Sequence, residues 1–276
     1  MQLARDGDAT AEYELGWCYM TGNGIPGDYK EASKWFQKAA AKGSAAANFG
    51  LGYLHEQGKG VNRDYRQAVT YYTAAAMQGH PTAANNLGSM YEHGQGVRRN
   101  PREAERWYRS AADHGEVIAQ CNLASLYFRG WGVRRDYSQA AAWFRAAADA
   151  GYAPAQEDLA WMFYTGTGVS VDYSEAEKWV LRASEQGYAR AQLDLAYLYE
   201  QGKGVSLDYV SAYMWYELSL AGGEERARAK LKSLSQLMTH KQVTEANAKA
   251  TKFPRSRTPL DSGDAGTIGS PFSERR

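Results

Sequence analysis

The chain has little of what disulfide-stabilised, membrane-spanning or nucleic-acid-binding proteins require. It contains only two cysteines in 276 residues, Cys18 and Cys121, so neither a disulfide framework nor a cysteine-based metal site is predicted. Its formal net charge of +1 at pH 7 gives no overall attraction to nucleic acid or to an anionic membrane. No apolar run approaches the roughly 18 residues that a membrane-spanning helix needs. The composition argues against nucleic acid as a partner and predicts no membrane span.

What the sequence has in abundance is repetition with a period of 36 residues. One set of equivalent glycines consists of Gly24, Gly60, Gly96, Gly132, Gly168 and Gly204. A leucine ladder consists of Leu15, Leu51, Leu87, Leu123, Leu159, Leu195 and Leu231. An aromatic ladder consists of Trp35, Tyr71, Trp107, Trp143, Trp179 and Trp215. These sets define six full repeats.

Each repeat predicts two helices joined by a glycine turn. In the first, Ala11, Leu15 and Tyr19 are spaced by four residues and share one helix face. The pair Gly22 and Gly24 predicts its end, because glycine adopts the positive φ common at helix C-termini. The second helix is predicted to begin after an N-cap at Asp28, Asp64, Asn100, Asp136, Asp172 or Asp208, with Glu or Gln three residues later completing a capping box in five repeats.

The predicted fold class is all-α, an α/α superhelix (solenoid) of about six 36-residue helix-turn-helix repeats plus a C-terminal capping helix pair. Small residues equivalent to Ala32 allow the helices to approach closely, and the aromatic ladder is expected to fill the space between neighbouring pairs. A single helix pair cannot bury both of its faces, so stability comes from stacking. The expected superhelix is right-handed.

Two stretches, Ala47 to Gly79 and Ala83 to Gly115, carry one pattern almost intact. It reads Ala-x-x-x-Leu-Gly-x-x-Tyr-x-x-Gly-x-Gly-Val-x-x-Asp-Tyr-x-x-Ala-x-x-Trp-x-x-x-Ala-Ala-x-x-Gly. The chain thereby resembles the Sel-one-like repeat family, a branch of the tetratricopeptide superfamily, over about residues 9 to 223. The resemblance implies scaffold or adaptor work between proteins, often in bacterial cell-envelope, regulatory or host-interaction settings.

The two ends of the chain predict the remaining domain boundaries. Leu3, Ala4 and Gly7 are in phase with the second helix of a repeat, so residues 1–8 are expected to be the remnant of a preceding repeat. Six repeats are expected over 9–223, capping helices over 224–250 with Thr239 as an N-cap, and a disordered tail over 251–276. The expected compartment is the cytoplasm if Met1 is the true start, and the periplasm or the cell exterior if a signal peptide precedes it.

Motifs that would support catalysis or cofactor binding are missing from the sequence. We find no Ser-x-x-Lys, Gly-x-Ser-x-Gly, His-Glu-x-x-His or Gly-x-x-x-x-Gly-Lys pattern. The five histidines stand at dissimilar positions of their repeats, which argues against a metal cluster. No cofactor is predicted, and an enzyme, such as a hydrolase, is disfavoured because no nucleophile can be named.

The resemblance also implies where a partner would bind, because the first helices of tetratricopeptide-like stacks line a concave groove. Residues equivalent to 13, 17 and 20 are expected to face it, and they vary between repeats. The predicted partner-binding residues are Tyr13, Trp17, Phe49, Tyr53, Glu56, Glu92, Trp161, Tyr164, Tyr197 and Glu200. Aromatic rings flanked by carboxylates suit an extended basic or mixed peptide. The alternative is that some of these aromatics pack between first helices.

A second candidate surface is a cluster of basic residues, Arg98, Arg99, Arg102, Arg106 and Arg109. It could bind an acidic partner or RNA. A solvated outer face with Glu105 and Arg109 paired across one helical turn is the favoured interpretation. The leading functional hypothesis is therefore a non-enzymatic scaffold that binds a partner protein segment in its groove. The alternative is a secreted or envelope-associated host-interaction factor.

Overall fold

The computed structural model describes residues 7–254 of the chain, and within this range every regular element is a helix. The predicted remnant at 1–8 and the predicted tail at 251–276 therefore lie almost entirely outside the described residues. The helices are α1 (Ala9–Thr21), α2 (Tyr29–Ala41), α3 (Ala45–Gln57), α4 (Tyr65–Ala76), α5 (Pro81–His93), α6 (Pro101–Asp113), α7 (Val117–Arg129), α8 (Tyr137–Asp149), α9 (Ala153–Thr165), α10 (Tyr173–Glu185), α11 (Ala189–Gln201), α12 (Tyr209–Ala221), α13 (Arg226–Ser235) and α14 (His240–Lys252). The all-α solenoid class predicted from the repeats is confirmed.

The chain forms two compact units. Unit 1 comprises Met1–Ala119 and Trp131–Val133, and unit 2 comprises Gln120–Gly130 and Arg134–Arg276. Within each unit the odd-numbered helices up to α11 are the first helices of their repeats, and the even-numbered helices up to α12 are the second. The first helix packs against the second helix of its own repeat in the pairs α1 and α2, α3 and α4, and α5 and α6 of unit 1, and α9 and α10, and α11 and α12 of unit 2.

The predicted N-caps are confirmed in all six second helices. The Asp28 carboxylate, for example, accepts hydrogen bonds from the backbone N–H groups of Lys30 at 2.8 Å and Glu31 at 3.2 Å. The expected return bond of the capping box is replaced in α2, because Glu31 accepts instead from the Lys34 ammonium at 2.6 Å. The box predicted at Thr239 does form and opens α14, which runs to Lys252 and so passes the predicted start of the tail.

The glycine turns also join consecutive repeats within each unit. Gly96 has φ of +71°, and a Cβ atom there would lie 2.3 Å from the Tyr65 carbonyl oxygen of the preceding repeat. A Cβ atom on Gly168 would likewise lie 2.3 Å from the Tyr137 carbonyl oxygen of the preceding repeat. Glycine is required at this position both for its backbone conformation and for the close approach of two backbones.

The core differs from the prediction by one residue in each second helix. The expected aromatic ladder is only half-buried at Trp35, Tyr71, Trp107 and Trp143, and buried at Trp179 and Trp215. The fully buried side chains are those of the next residue in each repeat, Phe36, Tyr72, Tyr108, Phe144, Val180 and Tyr216. Residues 32, 36 and 39 are spaced by four and three and so share the inner face, whereas residue 35 lies at its border.

The last two helices lie in unit 2. α14 packs against α12, where the ring of Phe253 lies 4.9 Å from that of Trp215. Ala246 of α14 is fully buried. None of the helices in the described range is both long and apolar enough to cross a membrane.

Candidate protein-binding surface

In unit 1, the first-helix residues at the predicted groove positions fall into two groups. Trp17 is exposed over 40% of its surface, and its ring lies 6.3 Å from that of Tyr13. Tyr13 itself packs 5.9 Å from the buried Phe36 ring. Phe49 stacks on His80 at 4.7 Å. Trp17 therefore presents a free aromatic face, whereas Tyr13 and Phe49 are half-buried, as the alternative interpretation of packed aromatics expected.

Tyr53 of unit 1 faces a cation from its own repeat. Its hydroxyl accepts a hydrogen bond from the Lys59 ammonium at 3.0 Å, and the same ammonium lies 5.4 Å from the ring centre of Tyr29. Lys59 is the middle residue of a Gly-x-Gly turn, which projects it back over the preceding repeat. The local arrangement is a lysine held between two tyrosines.

The glutamates predicted to contact a partner also accept hydrogen bonds from within the chain. Glu56 accepts a hydrogen bond from the buried Tyr72 hydroxyl at 2.6 Å, and Glu92 accepts one from Tyr108 at 2.8 Å. Burial, followed by the Glu56 charge, raises the pKa of Tyr72 far above its usual range, so the phenol remains the donor. In unit 2, Glu200 accepts in the same way from Tyr216 at 2.5 Å.

The residues equivalent to residue 20 vary between repeats, and we inferred from this variation that packing does not constrain them. That inference is wrong for these residues. Wherever the core residue sixteen positions later is tyrosine, the first helix supplies glutamate. Wherever that residue is phenylalanine or valine, the first helix supplies Met20, Phe128 or Tyr164. This pairing was visible in the sequence as a covariation between repeats and could have identified the structural glutamates.

The position-13 column also departs from the prediction of an open groove. It consists of Tyr13, Phe49, Asn85, Cys121, Glu157 and Leu193, and its last four members are buried. Only the position-17 column, Trp17, Tyr53, Ser89, Ser125, Trp161 and Tyr197, keeps aromatic side chains at least partly accessible in both units.

Unit 2 carries its own aromatic surface on the first helices. The Trp161 ring lies 5.2 Å from Phe128 in an edge-on arrangement. Tyr164 accepts a hydrogen bond from the Lys203 ammonium at 2.8 Å. Tyr197 lies beneath the Lys230 ammonium at 5.3 Å. The lysine-on-tyrosine arrangement of unit 1 therefore recurs in unit 2.

Beneath this surface lies a cluster of buried charges that the sequence did not predict. Glu157, fully buried, accepts a hydrogen bond from the Arg190 guanidinium at 3.1 Å. Burial raises the pKa of Glu157, and the Arg190 charge opposes that shift. Burial works against the Arg190 cation, but the Glu157 carboxylate beside it raises the pKa of Arg190 above its usual range. Asp158 and Asp194 are also buried in this cluster.

A pocket of about 320 Å³ opens between α11, α12 and α13 of unit 2. Its lining is formed by Leu193, Asp194, Tyr197, Tyr216, Arg226, Ala229 and Lys230. Leu193 and Tyr197 occupy two of the predicted groove columns. The pocket could not be predicted from the repeat pattern, because one wall comes from α13, which departs from that pattern.

The alternative basic patch lies on the α5–α6 turn and on α6 of unit 1. Arg98, Arg99, Arg102 and Arg106 are exposed, and the predicted pair of Glu105 and Arg109 is present at 2.9 Å. Arg99 stacks over the Trp131 ring at 4.8 Å. Among residues 7–254, no group of three or more His, Cys, Asp or Glu side chains is arranged to hold a metal ion.

A family profile and two solved structures assign the chain to the same family. The Sel1 repeat profile matches residues 9–44, 45–80, 81–116, 117–152, 153–188 and 189–224. The structure of a protective antigen of uropathogenic Escherichia coli strains, which displays an SLR fold, is 34% identical with a TM-score of 0.81, covering 90% of this chain and 54% of that one. A Sel1 repeat protein from Oxalobacter formigenes is 30% identical with a TM-score of 0.70, covering 77% of this chain and 85% of that one.

The chain thus spans about half the length of the Escherichia coli antigen. No protein with a curated description matches it.

Proposed function

We propose, from the premise that the chain belongs to the Sel1 repeat family, that it is a scaffold that binds an extended segment of a partner protein on its first-helix surfaces. Proteins of this family are generally non-catalytic and mediate interactions between proteins. Fold alone assigns no function, so the proposal depends on the surfaces themselves.

The observation that carries the proposal is the position-17 column. Four of its six members are aromatic, and Trp17, Tyr53, Trp161 and Tyr197 all remain at least partly exposed although the fully buried core is formed by other positions. Aromatic side chains dominate the binding energy of protein interfaces because they bury a large area at low entropic cost. A surface that keeps such rings accessible in both units is suited to a partner segment.

Site-specific photo-crosslinking in the organism's own cells tests this proposal. A photoreactive amino acid replaces Trp17 of α1 or Trp161 of α9. Matched controls replace Gln37 of α2 or Glu185 of α10, which are exposed on second helices. We expect the same protein to be crosslinked from the first-helix positions and not from the controls. Crosslinks from Arg102 alone would instead place the partner on the basic patch.

Substitution gives a second readout once that partner is purified. The Trp17→Ala and Tyr53→Ala double variant should weaken binding about tenfold or more while keeping its helical circular dichroism. Glu56→Lys and Glu92→Lys are poor probes, because each would leave a buried tyrosine hydroxyl without its acceptor. Unchanged affinity of the aromatic variant would contradict the proposed surface.

A second candidate function is host interaction from the cell surface or exterior. The observation that favours it is the 34% identity to a protein described as a protective antigen of uropathogenic Escherichia coli strains. Antibodies against this chain should then label intact cells. Labelling only after permeabilisation would contradict this candidate and leave the scaffold proposal untouched.

A further inference from the structure

The predicted basic patch of unit 1 divides into arginines that form ion pairs and arginines that do not. Arg106 is paired with Glu103 at 3.5 Å, and Arg109 is paired with Glu105 at 2.9 Å. The members of the patch that are exposed and form no ion pair with any residue of the described range are Arg98, Arg99 and Arg102. The sequence pattern could not separate these two groups.

The preceding repeat adds two more exposed arginines to the unpaired group. Arg63 and Arg66 lie 36 residues before two of its members, and neither forms an ion pair among residues 7–254. The two turns adjoin, because a Cβ atom on Gly96 would lie 2.8 Å from the Arg66 backbone nitrogen. We call the resulting surface the cationic edge, and it consists of Arg63, Arg66, Arg98, Arg99 and Arg102.

Two arginines of the cationic edge are held in place by neighbouring groups. The Arg99 guanidinium lies 4.8 Å from the Trp131 ring centre, and its Nε donates a hydrogen bond to the Glu92 carbonyl oxygen at 2.9 Å. The Arg63 guanidinium lies 5.7 Å from the Tyr65 ring centre. A guanidinium that is already stacked loses less side-chain freedom when it binds an anion, and its planar fork matches a carboxylate. These two side chains are therefore partly preorganised for binding.

Negative charge is scarce around the cationic edge. The N-cap of the second helix is aspartate in five of the six repeats, but it is the neutral Asn100 in the repeat that carries three of the edge arginines. The segments 61–67 and 97–103 contain all five arginines and only two carboxylates, those of Asp64 and Glu103. Asp64 accepts hydrogen bonds from two backbone N–H groups, and Glu103 is paired with Arg106. The surplus of positive charge favours an anionic ligand.

We propose that the cationic edge binds a segment of a partner protein that is rich in aspartate and glutamate. The inference goes beyond the proposed function, because none of the edge residues belongs to the position-17 column. The whole chain carries a formal net charge of +1, and the edge alone contributes five positive charges, so the remainder of the chain is net negative. A long nucleic acid would extend onto that remainder, whereas a short acidic segment can match the edge alone.

Exchange of N-cap residues changes the charge of the edge without removing an arginine. The probe is a fluorescein-labelled peptide of alternating glutamate and glycine, titrated with the full chain and followed by fluorescence anisotropy. Asn100→Asp adds a carboxylate and should weaken binding about threefold, whereas Asp64→Asn removes one and should strengthen binding about threefold. Both residue types cap helices well, so the fold is kept. The matched control, Asp172→Asn, makes the same exchange at the N-cap of α10 in unit 2 and should leave the affinity unchanged.

Removal of two edge arginines should have a larger effect. Arg66→Gln together with Arg102→Gln should weaken binding of the glutamate peptide about fivefold or more, because each side chain can form a charge-assisted hydrogen bond with a carboxylate. The matched control combines Lys178→Gln with Arg228→Gln, which removes two exposed cations of unit 2. It should weaken binding less than about twofold, since neither cation belongs to the edge.

Several results would overturn the proposal. It fails if Asn100→Asp and Asp64→Asn do not change the affinity in opposite directions, or if the control double variant weakens binding as much as the arginine double variant does. A single-stranded polyuridine oligonucleotide with the same number of charges provides the nucleic-acid arm. If it binds more tightly than the peptide and the arginine double variant abolishes that binding, the edge is a nucleic-acid site and the proposal is wrong.

Failure of this proposal and failure of the proposed function give different results. If the Trp17 and Trp161 crosslinks are absent while the peptide affinities follow the predicted order, the scaffold proposal fails and the cationic edge stands. If the crosslinks form while the peptide affinities do not follow that order, the cationic edge is overturned and the scaffold proposal stands.

Discussion

The two units place chemically different side chains in the position-13 column of their first helices. In unit 1 the position-13 column presents half-buried aromatic rings, Tyr13 and Phe49, packed on neighbouring side chains. In unit 2 the column buries the Glu157 carboxylate against Arg190. The alanine equivalent to Ala32 is the same in every repeat of both units, whereas the inner residue of the second helix varies among phenylalanine, tyrosine and, at Val180, valine. A repeat can therefore exchange apolar packing for buried charge at one position while this alanine stays fixed.

The turns that precede the second helices also differ between the two units. In two repeats of unit 1 the residue before the N-cap is Arg63 or Arg99, and each guanidinium lies over an aromatic ring, whereas the first repeat has Gly27 there. In two repeats of unit 2 the equivalent residues are Val171 and Leu207, which are 54% and 58% exposed. The remaining repeat of unit 2 keeps a cation at this position, Arg135, which lies 5.3 Å from the Tyr137 ring centre, so the apolar exchange is confined to the last two repeats.

The largest expected effect tests what the two units share. Phe36→Ala in unit 1 and Phe144→Ala in unit 2 each remove a fully buried ring from the same repeat position, so each should lower the free energy of unfolding by about 3–5 kcal/mol. Urea unfolding followed by circular dichroism measures this. Trp143→Ala is the matched comparison and should cost less, because Trp143 is only half-buried. An equal loss of unfolding free energy for Trp143→Ala and Phe144→Ala would mean that the aromatic ladder at Trp143 belongs to the core after all.

The next effect tests the difference between the units. Arg190→Met leaves the buried Glu157 without its cation and should destabilise unit 2 by about 3 kcal/mol. Lys42→Met removes the partner of Glu12 in unit 1, but Lys42 is 40% exposed and the loss should be about 1 kcal/mol. Hydrogen exchange of peptides from α9 and α1 locates each loss. Similar losses in both would mean that burial of the Glu157 pair has no energetic consequence.

A smaller effect concerns the tyrosine–glutamate hydrogen bonds. Tyr72→Phe in unit 1 should cost about 1.5–3 kcal/mol, because a hydrogen bond to a charged acceptor is lost. Tyr216→Phe in unit 2 should cost less, since Glu200 keeps its contact with Lys230. The free energies of unfolding of the two variants give the comparison. Equal costs would mean that the Lys230 contact contributes nothing to Glu200.

The smallest expected effect is a pH dependence of stability that arises from Glu157 in unit 2. Because burial raises the pKa of Glu157, the folded chain holds a proton over a pH range in which the unfolded chain has released it. Stability should therefore fall as pH rises from the ordinary carboxyl range through the raised pKa, by at most about 1.4 kcal/mol per pH unit for one proton. Glu157→Gln should flatten the slope relative to the parent chain. A slope that persists in the variant would assign the proton to another group.

The period of 36 residues was sufficient to predict the helix pairs, the caps at Asp28 and its equivalents, and the turns at Gly22 and Gly24, because these depend on local backbone chemistry. The inner position of the second helix was predicted one residue too early, since tryptophan is more conspicuous than the varied residues that follow it. Contacts between repeats, such as that of Glu157 with Arg190, depend on how the helices stack. They could not be predicted from a local sequence pattern.

The glycine turns have a genetic consequence. Gly60 abuts Tyr29 as Gly96 abuts Tyr65, through the same close approach of backbones. Deleting residues 45–80 would join Ser44, an N-cap, to Pro81, the first residue of α5, and would bring Gly96 against Tyr29. Each junction that this excision creates is of a type that the parent chain already contains, an N-cap before a first helix and a glycine turn against the tyrosine of the preceding repeat. Unequal recombination between the coding segments of two repeats can therefore lengthen or shorten such a gene by whole repeats while keeping these two types of junction.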